Sequence, residues 1–235
     1  MAKRGDEKAE RLHQLIARQI GTAILSGKYE PGAPFDGEIE QSAALGVSRT
    51  AYREAMRILI SKGMVESRPK AGTHVTDRAK WNLLDPEMLA WMFGQEPDER
   101  FVRDLFELRG VLEPAAAELA AMRRTPEQLA AMAECVGTMA RVGLARDAGQ
   151  EADRQFHRVL LEATENEAFM SLSGSIEAAV QWTTRFKQMA RFSPRDPVPD
   201  HQAVYDAIAR GDARAAGEAM RVLLNLALGD MGRAA

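Results

Sequence analysis

Asp153 and His157 stand four residues apart in EADRQFHRVLLEATENEAF, and His201 opens a later helical stretch, PDHQAVYDAIARGDARAA. Residues i and i+4 share one face of a helix, so a carboxylate and an imidazole can meet the same small ligand there. Those two group types together suit zinc, nickel or manganese. Without an ion, the same groups form a hydrogen-bonded polar cluster able to hold an organic acid directly. A site of this kind with open positions could also activate water in a metal-dependent hydrolytic enzyme. Against that reading, no neighbouring residue offers an obvious general base. The remaining histidines, His13 and His74, have no partners at metal-ligand spacing and read as surface or structural residues.

These groups need a scaffold, and the chain from residue 98 onward supplies a helical one. Apolar residues recur at helical spacing in five runs: Phe101–Ala115, Leu129–Met139, Phe156–Ala163, Phe169–Val180 and Val204–Leu224. Breaks fall near Pro97, Thr125-Pro126, Gly143, Asn166, residues 193–199 and Gly211. The pattern predicts an antiparallel all-α bundle of six or seven helices over 98–235. Aromatic residues make up only 6% of the chain, so the bundle core must be aliphatic. Cys135 is expected there as a small buried hydrophobe. An acid inside the bundle needs a cationic fork. Arg109 in ELRG is the first candidate and Arg185 in QWTTRFK the second. Asn166 either lines the pocket or ends a helix.

The first third of the chain has different chemistry. Leu12, Ile16, Ile20 and Ile24 mark a helix over about 7–25, closed by Gly27. A short helix over about 38–45 follows, then Gly46, then a third helix to about Lys62 with Ser48 as its N-cap. Two helices joined by a short glycine-containing turn make a helix-turn-helix. Met64–Arg68, a turn at Pro69–Gly72, and Thr73–Thr76 then predict a small two-stranded wing. Recognition helices read base edges with their N-terminal residues, and arginine there pairs with guanine. Ser48, Arg49, Thr50 and Arg53 are therefore the expected DNA contacts. Lys70 and Gly72 at the wing tip can approach a minor groove. The three parts are 1–77, a linker and docking helix over 78–97 carrying Trp81, and 98–235.

The run GVSRTAYREAMRILISKGMVESRPKAGTHV resembles the winged helix-turn-helix of the GntR family of bacterial regulators. ELRGVLEPAAAELAA, DRQFHRVLLEATEN and DHQAVYDAIARGDARAA resemble the FCD effector domain of the FadR subgroup. The resemblance implies a mainly α protein, a homodimer, that binds operator DNA and answers to a small carboxylate such as a sugar acid. It also implies a divalent metal held by Asp153, His157 and His201. Two departures stand out. Ile39 occupies the place of an operator-binding arginine, and Leu223 occupies the place of a fourth metal ligand. Three ligands leave positions open on the ion. The resemblance leaves repressor and activator both open.

The bulk numbers agree. Net charge is −3, but residues 1–80 carry 14 Lys/Arg against 10 Asp/Glu, while 81–235 carry 17 against 24. A basic head on an acidic body suits a protein that meets phosphates at one end. The charged start lacks a signal-peptide core, and no window approaches 18 uninterrupted apolar residues. One cysteine fits a reducing cytoplasm. These features predict a cytoplasmic protein.

Overall fold

The computed structural model describes residues 2–69, 71–95, 97–189 and 195–234, with side chains described only within 12–232. The chain is mainly α and divides into two compact units, Met1–Met92 and Phe93–Ala235.

The first unit contains α1 (Ala2–Leu25), α2 (Glu38–Ala44), α3 (Arg49–Ser61), β1 (Val65–Arg68), β2 (Gly72–Val75) and α4 (Pro86–Phe93). Helix α1 begins at Ala2, earlier than expected, because the apolar periodicity that marks it starts only at Leu12. Gly27, at φ +76°, ends it and lets the Lys28 N–H reach back to the Ala23 carbonyl at 2.9 Å. Gly46, at φ +65°, makes the turn between α2 and α3. There the Val47 N–H meets the Ser42 carbonyl. Ser48 then caps α3 by accepting from the Ala51 N–H at 3.1 Å. The wing pairs Val65 with Val75 through to Arg68 with Gly72, antiparallel. The stretch before α2 joins β2, where the Phe35 N–H donates to the Thr73 carbonyl at 2.8 Å.

The segment expected as a linker and docking helix carries α4, which docks on the head. Met88 and Trp91 of α4 enter the head core beside Ile20, Met56 and Leu59. Lys62, nearly buried, reaches both Asp85 (2.7 Å) and Glu87 (2.6 Å) at the start of α4. The Trp81 indole N–H donates to Thr76. An apolar helix beside a head with uncovered aliphatic surface buries itself there, and the compact first unit runs on to Met92.

Among the described residues, the second unit is built from α5 (Glu99–Arg123), α6 (Pro126–Val142), α7 (Asp147–Glu162), α8 (Glu167–Met170), α9 (Ser173–Met189), α10 (Val198–Arg210) and α11 (Ala213–Ala234). Asp98 caps α5, and a capping box between Thr125 and Gln128 starts α6. Gly211, left-handed at φ +71°, separates α10 from α11. The small residues Ala116, Ala117, Ala120 and Ala121 let α5 lie close along α11, opposite Ala216, Met220 and Leu224. Helix α7 packs between α6 and α9, and α10 contacts α6 and α11. Cys135 is buried among these side chains, and burial pushes its thiol up to about 11. No helix among the described residues is long and apolar enough to cross a membrane.

Candidate functional site

Asp153 and His157 project one turn apart from α7, and both are buried. His201 comes from the first turn of α10 and is buried beside them. A ligating atom from each of the three lies within 4.8 Å of the others. His201 Nε2 is 3.0 Å from Asp153 Oδ1, and His157 Nε2 is 3.7 Å from the same oxygen. Phe156 packs edge-on against both imidazoles and fixes their planes.

The outer nitrogens of the rings are also engaged. His201 Nδ1 is 2.9 Å from the Pro197 carbonyl. A carbonyl only accepts, so Nδ1 carries the proton and Nε2 turns its lone pair inward. His157 Nδ1 is 2.6 Å from Glu113 Oε2, though out of line for a good hydrogen bond. Glu113 in turn takes the Arg109 Nε at 2.5 Å. Thr184 donates to Asp153 Oδ2 at 2.9 Å. Buried His201 Nε2 has no hydrogen-bond partner among the described residues. Imidazole lone pairs and a carboxylate oxygen therefore converge on one point, an arrangement that asks for a cation between them. The separations match those between ligands bound at about 2.0–2.2 Å, and outer-shell groups already orient both imidazoles. The residues present fit a divalent ion.

The electrostatics follow from burial and neighbours. Burial pushes the Glu113 carboxyl up, but Arg109 and His157 more than offset this and hold it at about 2. Burial likewise raises Asp153, and His201, His157 and Lys187 bring it well below the usual carboxylate range. Burial drives Lys187 of α9 down from the ordinary lysine value.

Arg109, Asp153, His157, Thr183, Thr184, Lys187, His201 and Leu223 are among the side chains that line the space between the helices. That space is about 20 Å³, room for one ion or water molecule. Leu223 closes it from α11.

The other expected effector contacts lie elsewhere or face elsewhere. Arg109 lines the space, but its guanidinium is occupied by Glu113. Arg185 is exposed and lies over the Trp182 ring, outside this lining. One residue beyond Thr184 is about 100° around a helix, which carries Arg185 off the inner face. Asn166 caps α8, accepting from the Ala168 N–H at 2.9 Å. Glu113 and Lys187 also belong to the site and are not among the expected contacts. Both left a signal: Glu113 is four residues beyond Arg109, and Lys187 continues the inward series Ile176, Val180, Thr183.

In the head, Ser48, Arg49, Thr50 and Arg53 cluster at the exposed start of α3. Glu38 of α2 holds Arg49 Nε and Arg53 Nη2, each at 3.2 Å. Gly72 is exposed at φ +82°, with open space where a Cβ would be. Lys70 lies outside the described residues.

Residues 104–226 match the FCD domain, and residues 12–75 match the bacterial regulatory proteins of the gntR family. The chain is 36% identical to YieP, an HTH-type transcriptional regulator of Escherichia coli K12, over 91% of its length and 92% of that protein's. It is 32% identical to the galactonate operon transcriptional repressor of the same organism, covering 89% and 92% respectively. The solved structure of Lar from Listeria monocytogenes covers 96% of both chains at a TM-score of 0.64 and 17% identity, a likeness of fold alone. With a helix-turn-helix at one end and this helical domain at the other, the chain belongs to the GntR family of DNA-binding transcriptional regulators, in the branch that carries an FCD effector domain.

Proposed function

We propose that the protein is a homodimeric repressor whose bundle senses a small hydroxy-carboxylate, a sugar acid such as galactonate. Two heads read the halves of a pseudo-palindromic operator, as two-fold proteins do. Arg49 and Arg53 supply the base contacts, Ser48 and Thr50 meet phosphate, and the wing, with Gly72 at its tip, follows the minor groove, where Lys70 is the expected added charge. The ion pairs with Glu38 are exposed and therefore weak, so both guanidinium groups can exchange that carboxylate for a guanine edge.

The observation that carries the sensing half is the buried convergence of Asp153, His157 and His201 inside the effector domain. These three side chains would hold a divalent metal; when bound, it supplies a Lewis-acidic anchor for a carboxylate. Arg109 and Glu113 brace His157, and the Pro197 carbonyl braces His201. The galactonate repressor, similar over nearly its whole length, supports the choice of acid. The enclosed space is too small for a sugar acid, so its entry must part the helices around it. A change of packing of that kind can be passed to the heads, because packed cores switch between discrete arrangements.

The test begins with duplexes selected from a random DNA library by the full-length protein, which should be pseudo-palindromic. Arg53→Ala should lose the selected preference. Galactonate and smaller hydroxy acids are then titrated into the complex. Operator affinity should fall about 5–150-fold with at least one of them. Unchanged affinity with every acid in the panel would count against the sensing role.

A further inference from the structure

Lys187 is a buried cation of the site with no ion pair or hydrogen bond among the described residues, answered only at longer range by Asp153 and Asp230. Its side chain, only 8% exposed, lines the same space as Asp153, His157 and His201. Arg109 is taken up by Glu113. The oxygens of Asp153 face His201 and Thr184. The Lys187 ammonium, by contrast, has no carboxylate within ion-pair distance and no hydrogen-bond acceptor among the described residues. An unpaired ammonium in an interior is costly, and an apolar residue of the same length would ordinarily be more stable there. Position 187 nonetheless continues the inward face of α9, two turns beyond Val180 and one turn beyond Thr183 and Thr184. The adjacent threonines add hydroxyl groups suited to a polyol carboxylate.

We propose that Lys187 is an effector-binding cation of this protein, receiving the acid's carboxylate alongside any metal held by Asp153, His157 and His201, while Thr183 and Thr184 meet its hydroxyl groups. This rests on the sensing role proposed above and names the residue that gives that role its selectivity for anions. It also assigns the charge-pairing role to α9 and leaves Arg109 as a brace for Glu113. Among the described residues the ammonium has only the longer-range attraction of Asp153 and Asp230, so the site is less stable without ligand than packing alone would make it. Binding relieves that cost, which makes the response specific for anions over neutral sugars.

The experiment compares wild type and Lys187→Met by thermal melting and titration calorimetry, with galactonate and lactate as acid probes and galactitol as the neutral control. Without ligand, Lys187→Met should melt at or above the wild-type temperature, by about 2–4 °C for each kcal/mol gained. Its affinity for whichever acid binds wild type should be at least about tenfold weaker, the loss of one charge-assisted hydrogen bond. Lys187→Arg should retain part of that affinity, and galactitol should shift neither protein. If wild type binds an acid and Lys187→Met binds it equally well, this assignment is overturned while the sensing role stands. If Lys187→Met melts lower and binds normally, Lys187 is structural and the assignment is again overturned. If no acid binds wild type, the sensing role and this assignment fall together. Should Lys187→Met not fold, Lys187→Gln answers the same questions.

Discussion

At the scale of single residues, Glu113 holds the site's geometry. It is fully buried, and its two oxygens face Arg109 and His157. Removing one partner of a buried ion pair leaves an uncompensated charge, which costs more than the pair itself was worth. Glu113→Ala should therefore lower the stability of the protein by about 3–5 kcal/mol in urea unfolding. A loss below about 1 kcal/mol, the range of an exposed pair, would show that the Arg109 charge is satisfied elsewhere. Asp153 and His157 were legible in the sequence because their spacing alone places them on one face. His201 was legible only through the resemblance, since nothing local ties residue 201 to residue 157. Arg185 was drawn from charge type without helix phase, and phase places Lys187, not Arg185, on the inner face. Glu113 was missed because a carboxylate near an arginine reads equally well as a surface pair until burial is known.

Among the elements, α4 shows what the expectation of a docking helix left open. Its segment is apolar over most of its surface, so periodicity marks it as buried but does not say against what. The head claims it through Trp91, which closes on α1 at Gly21. A Cβ at Gly21 would stand 2.4 Å from the indole ring. Gly21→Ala should thus run opposite to intrinsic preference. Alanine favours a helix interior over glycine by about 1 kcal/mol, yet overpacking against a buried ring costs about 1–3 kcal/mol. The expected result is a lower melting temperature for the head transition, and a higher one would show that Trp91 yields freely. The helix-turn-helix and wing were more legible, because Gly27, Gly46 and Ser48 mark their boundaries with turn and cap chemistry that needs no tertiary context. The helices described in the second unit were legible as amphipathic stretches, with α8 and α9 falling within one run. Their neighbours were not, since an apolar stripe carries no address.

At the scale of the whole molecule, the division of charge matches the division of labour. The basic excess lies in the first 80 residues with the DNA-reading elements, and the acidic excess lies with the effector domain. A negatively charged body disfavours phosphate and leaves DNA to the head. On the sensing role proposed above, a small acid would be drawn into an acidic domain by buried cations, which would be the task of the interior site. The most direct test is operator affinity with and without the acid that releases wild type, measured for wild type and His201→Gln. Without acid, both should bind the operator alike, because position 201 lies in the other unit from the DNA-contacting elements. With saturating acid, wild type should release the operator and His201→Gln should hold it. Equal release by the two proteins would show that the signal enters somewhere other than this buried cluster.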